Sequence, residues 1–129
     1  MADPVVPVSW GELLDKVAIL EIKRLRLRAP EAVANAEREL SVLAPALALL
    51  EPVPAGLAEL RAALAAVNQR LWTIEDRIRE QDAKGHFGPE FVALARSVYR
   101  ENDERGRIKR AINVLLGSGL VEEKQYSAY

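Results

Sequence analysis

The sequence predicts an all-α protein, a single domain built as a bundle of about four antiparallel helices. Apolar residues recur three and four positions apart over long stretches, which is the spacing of one face of a helix. Proline and glycine fall mainly between those stretches, and the short connections favour antiparallel neighbours. No segment alternates apolar and polar residues as a strand does, and no Asn-Gly or Asp-Gly hairpin turn occurs.

Capping and breaking residues set the limits of the predicted helices. Ser9 followed by Glu12 has the capping-box pattern of a helix start. Ala29-Pro30 stops the first helix, because the residue before proline disfavours the helical region. Pro45 should kink or split the second helix. The predicted segments are an extended arm at residues 1–8, helices at 9–28, 31–50, 57–84 and 89–116, and a tail at 117–129.

The fourth helix has charged residues in the middle of its apolar seam. Glu101 and Arg105 occupy its two central positions. They are four residues apart, so we expect them to pair along the helix. At about 100° per residue, Asn102, Lys109 and Asn113 lie beside the same stripe.

Two other helices carry polar residues in or beside their seams. Arg24 interrupts the seam of the first helix, with Glu21 next to it, and Asn68, Glu75 and Arg79 border the stripe of the third. The candidate polar cluster therefore comprises Glu21, Arg24, Asn68, Glu75, Arg79, Glu101, Asn102, Arg105, Lys109 and Asn113. Buried charges are costly unless paired, so such a cluster is either a network that fixes helix register or a binding site.

Composition narrows the classes of partner and cofactor. Lys plus Arg is 18 and Asp plus Glu is 19, which argues against a protein that coats nucleic acid or an anionic membrane. The absence of cysteine and the single histidine argue against a zinc site, so we expect no cofactor. No apolar run is long enough to span a membrane, and the start lacks a signal-peptide pattern, so the expected location is the cytoplasm.

Three stretches of the sequence carry a resemblance to a known family. They are PVSWGELLDKVAILEIKRLRL, LWTIEDRIRE, and FVALARSVYRENDERGRIKRAIN with LVEEKQYSAY. Together they resemble a family of uncharacterised bacterial proteins, a domain of unknown function of about this length. The resemblance leaves out the second helix and the EPVPAG loop. It implies a bacterial origin and an all-α fold, and it supplies no activity and no site residues.

Two non-catalytic functions fit these observations. The first, which we favour, is a non-enzymatic helical binding or assembly module that forms a homo-oligomer or captures a protein partner, since helical hairpins with exposed seams commonly dimerise. No nucleophile arrangement and no Gly-rich phosphate loop is present. The second is a binding protein that holds an anionic or phosphorylated metabolite in the polar cluster.

The third hypothesis is a magnesium-dependent enzyme. LWTIEDRIRE and ENDERGRIKRAIN are loosely similar to the all-α nucleoside triphosphate pyrophosphohydrolases, whose bundles hold Mg²⁺ with carboxylates and position phosphates with Lys, Arg and Asn. That similarity implies oxygen ligands for Mg²⁺ from Glu75, Asp76, Glu101 and Glu104, and phosphate contacts from Arg105, Lys109 and Asn113. Those enzymes carry their carboxylates at E-x-x-E and E-x-x-D spacings on adjacent helices. This chain has Glu12-x-x-Asp15 and Glu101-x-x-Glu104, but we expect Glu12 and Asp15 to point away from the first helix's seam.

Overall fold

Four α-helices and no strand make up the protein, which confirms the predicted all-α class. The structure, a computed structural model, describes residues 1–129. The helices are α1 (Trp10–Arg26), α2 (Pro30–Ala48), α3 (Leu57–Ala83) and α4 (Pro89–Leu116). The first nine residues and the tail after α4 form no regular element. None of the helices combines the length and the apolarity that crossing a membrane requires.

Two helix ends differ from the sequence prediction. α1 ends at Arg26 rather than Arg28, because Leu27 already has an extended backbone with ψ of 140°. α2 is not split at Pro45 but runs through it to Ala48. Proline removes a single backbone donor, and so close to the end of a helix that loss is tolerated.

α1 is the central helix of the fold. It packs against each of the other three helices, whereas α2 packs against α1 alone. The Lys16–Glu39 ion pair, with Nζ and Oε1 2.7 Å apart, joins α1 to α2. α3 and α4 form an antiparallel hairpin, in which Arg70 pairs with Glu101 near the middle and Arg77 with Glu90 near the tip. α2 is therefore an outer layer on a three-helix body.

The apolar core lies between α1, α3 and α4. Its fully enclosed side chains include Leu57 and Val67 of α3 and Ile112 of α4. Leu50, just after α2, closes one end of this core. The core comprises Leu14, Ala18, Leu50, Leu57, Leu64, Val67, Ile108 and Ile112.

Candidate functional site: a buried ion-pair network

Asp15 of α1 is the centre of the polar cluster, and only 1% of its surface is exposed. The sequence analysis predicted that Asp15 points away from the apolar seam of α1, and it did not foresee that the face carrying Asp15 is buried as well. That face is buried because α1 contacts three helices and is therefore covered on more than one side. The face that meets α3 and α4 carries Gly11, Asp15, Ala18 and Ile22, spaced four, three and four residues apart.

The carboxylate of Asp15 is held by side chains from both α3 and α4. Arg105 binds it in a two-pronged manner: Nε donates to Oδ1 at 2.9 Å and a terminal guanidinium nitrogen donates to Oδ2. Asn68 donates from Nδ2 to Oδ1 at 3.0 Å, and Lys109 Nζ lies 3.9 Å from Oδ2. Bidentate guanidinium–carboxylate pairs are among the strongest side-chain hydrogen bonds, so this contact fixes α1 against α4.

Lys109 extends the network to both ends of the chain. Its Nζ lies 2.8 Å from Glu12 Oε2 and 2.8 Å from Glu122 Oε2, and 8% of its side chain is exposed. Glu12 is exposed but turns its carboxylate to this ammonium group. Glu122 belongs to the tail, so Lys109 ties the tail to α1 as well as to α4.

The start of α1 is capped largely by the end of α4. The first backbone N–H groups of a helix have no partner within it. Here Trp10 N donates to Ser118 Oγ at 2.9 Å, and Gly11 N donates to Asn113 Oδ1 at 2.6 Å. The next backbone N–H donates at 3.1 Å to Ser9 Oγ, the cap predicted from the sequence. The first-turn donors of α1 are thus satisfied, two of them across the chain.

Pairing outweighs burial in setting the charge states of the network. Burial alone would raise the pKa of Asp15, but the hydrogen bonds from Arg105 and Asn68 lower it below its usual value. Burial likewise works to lower the pKa of Lys109, yet its bonds to Glu12 and Glu122 raise it. Both groups are therefore charged at neutral pH.

The buried polar atoms of the network are paired, but the network reaches the surface at Arg105. The Arg105 side chain is 27% exposed, and with Asn68 and Asn102 it lines an open groove of about 520 Å³. Every buried side-chain nitrogen and oxygen atom of the protein has a hydrogen-bond partner within the chain. No three carboxylate or imidazole groups come together in a way that could hold a metal ion. We call the set the Asp15 network. Its mutually bonded members are Glu12, Asp15, Asn68, Arg105, Lys109 and Glu122, and we include Asn113, whose side chain bonds to Gly11 N of α1 beside them.

Comparison with known protein families identifies one that matches this chain. A family model described as a family of unknown function matches residues 5–129. The chain belongs to this family, DUF6165. The match includes all four helices and the tail, so the whole Asp15 network lies within the DUF6165 region. No curated protein and no solved structure matches the chain.

The structure of this DUF6165 member brings together some of the candidate residues named from the sequence. Asn68, Arg105, Lys109 and Asn113 all belong to the Asp15 network. Asn102 lies at its edge, where its Oδ1 accepts from Arg105 at 3.4 Å. These side chains converge because they interrupt the seams of α3 and α4, which face α1.

Other candidate residues lie elsewhere. Glu101 was expected to pair with Arg105 along α4, but it pairs across the hairpin with Arg70, with Nε and Oε2 3.0 Å apart. Arg105 is engaged with Asp15 instead, since a buried carboxylate competes more strongly for a guanidinium group than a half-exposed one. Glu21 and Arg24 are exposed on α1 and form no ion pair.

The acidic residues considered as magnesium ligands do not form a ligand set. Glu75 is bound along α3 by Arg79, and Glu104 along α4 by Arg107. Glu101 is bound by Arg70 of the facing helix. The remaining candidate, Asp76, is exposed and forms no ion pair. The carboxylate arrangement implied by the pyrophosphohydrolase similarity is therefore not present.

Sequence reasoning missed Gly11, Asp15, Glu12 and Glu122. A usable signal existed for the first two, because Gly11, Asp15, Ala18 and Ile22 repeat at helical spacing and form a second seam beside the apolar one. A small residue one turn before a carboxylate is a position where another helix can approach closely. Nothing local marks Glu122, whose role depends on where the tail lies.

Proposed function

We propose that the protein is a non-enzymatic helical assembly module that associates with a second copy of itself through α2. The observation that carries the proposal is an apolar stripe on the outer face of α2. Val42 and Leu49 are 71% and 75% exposed, and Pro45 between them is also exposed. Leu49 directly follows α2 and keeps a right-handed helical backbone, so the spacing of three and four residues places all three side chains on one face. Exposed apolar patches of this kind are typical of interaction sites.

The Asp15 network supports a non-catalytic role. Its buried charged groups bind one another, and only its edge at Arg105 faces an open groove. In this network the carboxylate of Asp15 is used by Arg105, Asn68 and Lys109, and Lys109 is used in turn by Glu12 and Glu122. We therefore assign the network to fixing how α1 and α4 meet, a known use of buried polar groups.

Charge complementarity favours a second copy as the occupant of the α2 stripe. Arg38 precedes the stripe within α2, and Glu51 follows it in the loop, three residues beyond the last residue of α2. Neither residue forms an ion pair within the chain. When two α2 helices pair antiparallel, Arg38 of each copy comes beside Glu51 of the other. Two-fold dimers are self-complementary in this manner.

Sedimentation equilibrium over a range of protein concentrations tests the proposal. We expect a monomer–dimer equilibrium for the natural chain and a monomer for the double variant Val42→Glu with Leu49→Glu. The matched control, Ala44→Glu with Ala48→Glu, adds the same charge to exposed positions that lie about 90° or more around α2 from the centre of the stripe, and it should dimerise normally. A natural chain that stays monomeric at every concentration would refute the proposal.

A charge swap tests the antiparallel geometry separately. Arg38→Glu should raise the dimer dissociation constant by about tenfold or more, because like charges then face each other. Adding Glu51→Arg to the same chain should restore dimerisation. If the double variant is no better than the single one, the two residues do not meet and the proposed pairing is wrong.

Two further expectations, on the origin and on the location of the protein, accompany this proposal. A bacterial origin is implied by the resemblance of the three quoted stretches to a bacterial family. We infer a cytoplasmic location from the lack of a signal-peptide pattern and of a long apolar run in the sequence. The near-balance of charges leads us to expect that neither nucleic acid nor a membrane is the partner. Fractionation of expressing bacterial cells, with detection of the protein in the cytosolic fraction, tests the location. Recovery with the membrane pellet would contradict it.

A further inference from the structure

A shallow groove with an unusual lining lies between the end of α1 and α3. Its volume is about 500 Å³, and it is open to solvent along its length. The lining contains two guanidinium groups, an amide and a hydroxyl group over two apolar side chains, and it contains no carboxylate. The six residues are Arg26, Ala66, Gln69, Arg70, Thr73 and Ile74.

Both arginines of the groove have donor groups to spare. No carboxylate lies within ion-pair distance of Arg26. Arg70 uses its Nε to bind Glu101 at 3.0 Å, which leaves its terminal nitrogens for another acceptor and holds the side chain in place. The groove thus has one oriented guanidinium group and one that is free to move onto a ligand.

A second hollow in the protein makes the contrast clear. It lies between α4 and the tail, has a volume of about 260 Å³, and is also rich in cations. There each cation is already neutralised by a carboxylate at 3.9 Å or less, in the pairs Arg107–Glu104, Lys109–Glu122, Arg110–Glu123 and Lys124–Glu122. Every cation in that hollow has a carboxylate partner, whereas in the α1–α3 groove Arg70 is paired with Glu101 and Arg26 is unpaired.

The surroundings of the groove are also positive. Lys23 and Arg24 lie in the last turn of α1 and Arg28 lies two residues beyond its end, and none of them forms an ion pair. Cations at a helix C-terminus complement the helix dipole, which accounts for their presence. Together with Arg26 they make this end of α1 rich in positive charge.

We propose that this groove binds the phosphoryl group of a small phosphorylated molecule. A phosphate monoester carries about two negative charges at neutral pH and presents three acceptor oxygens, enough for Arg26, Arg70 and a further donor at once. Gln69 and Thr73 supply that donor, and Ala66 and Ile74 provide an apolar surface for the rest of the ligand. The net charge of the chain is −1, which gives no long-range attraction for a polyanion and favours a small ligand.

The proposal is independent of dimerisation, since the groove and the α2 stripe share no residue. Titration with phenyl phosphate, followed through the arginine Nε–H signals in ¹H–¹⁵N spectra at constant ionic strength, tests it. We expect saturable shifts of the Arg26 and Arg70 signals. Benzoate, which has the same ring and a carboxylate, should bind more weakly, and inorganic phosphate should compete with phenyl phosphate.

Two matched variants distinguish a specific phosphate site from general electrostatic attraction of the anion to the protein. Arg26→Gln should weaken phenyl phosphate binding by about tenfold or more, the usual range for losing a charge-assisted hydrogen bond. Arg24→Gln removes the same charge from a residue outside the lining, so it should weaken binding by about twofold or less, through the loss of general attraction alone. Neither arginine forms an ion pair, so both variants should fold normally.

Several outcomes would overturn the proposal. These are an absence of shifts, equal weakening by both variants, or benzoate binding as tightly as phenyl phosphate. The variant Val42→Glu with Leu49→Glu should keep its phosphate affinity, so a failure of the dimer proposal and a failure of this one are distinguishable.

Discussion

At the scale of single residues, the fold depends most on the pairing of Asp15 with Arg105. A carboxylate this deeply buried is stable only while its partners remain, because removing one leaves an uncompensated charge. We expect Arg105→Met to lower the free energy of unfolding by about 3–5 kcal/mol, measured by urea denaturation. Methionine keeps most of the apolar volume, so the loss reports the missing charge.

An exposed ion pair provides the control for that measurement. Arg79 binds Glu75 one turn away on the surface of α3, and its side chain is 71% exposed. Arg79→Met should cost about 0.5 kcal/mol or less, as is usual for surface pairs. If the two variants lose similar stability, the Asp15 network does not have the structural role assigned to it.

How much of the site was visible in the sequence differs from residue to residue. Four residues stood out because they interrupt or border otherwise apolar stripes: Asn68, Arg105, Lys109 and Asn113. A polar side chain in such a stripe becomes buried and then needs a hydrogen-bond partner. Asp15 did not stand out, since the strongest apolar seam of α1 faces another way. That seam includes Leu13, Val17 and Leu20, all of which are buried as expected.

At the scale of helices, α1 and α4 touch most closely at Gly11. A Cβ atom placed on Gly11 would lie 2.5 Å from the carbonyl oxygen of Lys109 and 2.9 Å from Asn113 Oδ1. The first of these atoms is backbone and cannot move aside without shifting α4. The position therefore requires glycine for reasons of space.

Two alanine substitutions test this close approach. Gly11→Ala should destabilise the protein by about 1–3 kcal/mol, since it forces α1 away from α4 and strains the bond from Gly11 N to Asn113. Gly106→Ala, in the middle of α4, meets only the flexible Lys124 side chain at 3.5 Å or more and should stabilise by up to about 1 kcal/mol. Thermal unfolding of both variants checks the difference in sign, and equal effects would contradict the packing argument.

Helix limits are local properties, and the sequence contained most of the information about them. Pro30 and Pro89 occupy first-turn positions, where their missing N–H costs nothing. Pro45 misled the prediction for α2, because a proline close to the end of a helix breaks less than one at its centre. Which faces of a helix are buried is a tertiary property, and for α1 it depended on how many neighbours the helix has.

At the scale of the whole molecule, the network limits the pH range of stability. The pKa of Asp15 is lowered from 3.8 on folding, so its contribution to stability is complete above that value and is lost as the pH falls through the folded pKa. The pKa of Lys109 is raised from 10.5, so its contribution is complete below that value and is lost as the pH rises further.

The pH dependence of urea unfolding checks this assignment. We expect the free energy of unfolding to fall with acid, and to fall with a smaller slope in Asp15→Asn, which no longer takes up that proton. The slope is the informative quantity, because Asp15→Asn changes the overall stability as well. Parallel acid profiles for the two proteins would show that Asp15 has the same pKa in the folded and unfolded chain.

The Asp15 network also has a consequence for the order of events during synthesis. Asp15 and Arg105 are 90 residues apart in the chain, and Glu12 and Lys109 are 97 apart. While the nascent chain leaves the ribosome, α1 appears first but cannot complete its charge pairs until α4 has been translated. The bond from Asn68 to Asp15 becomes possible once α3 has emerged, but the charge of Asp15 has no buried cationic partner until Arg105 of α4 has followed.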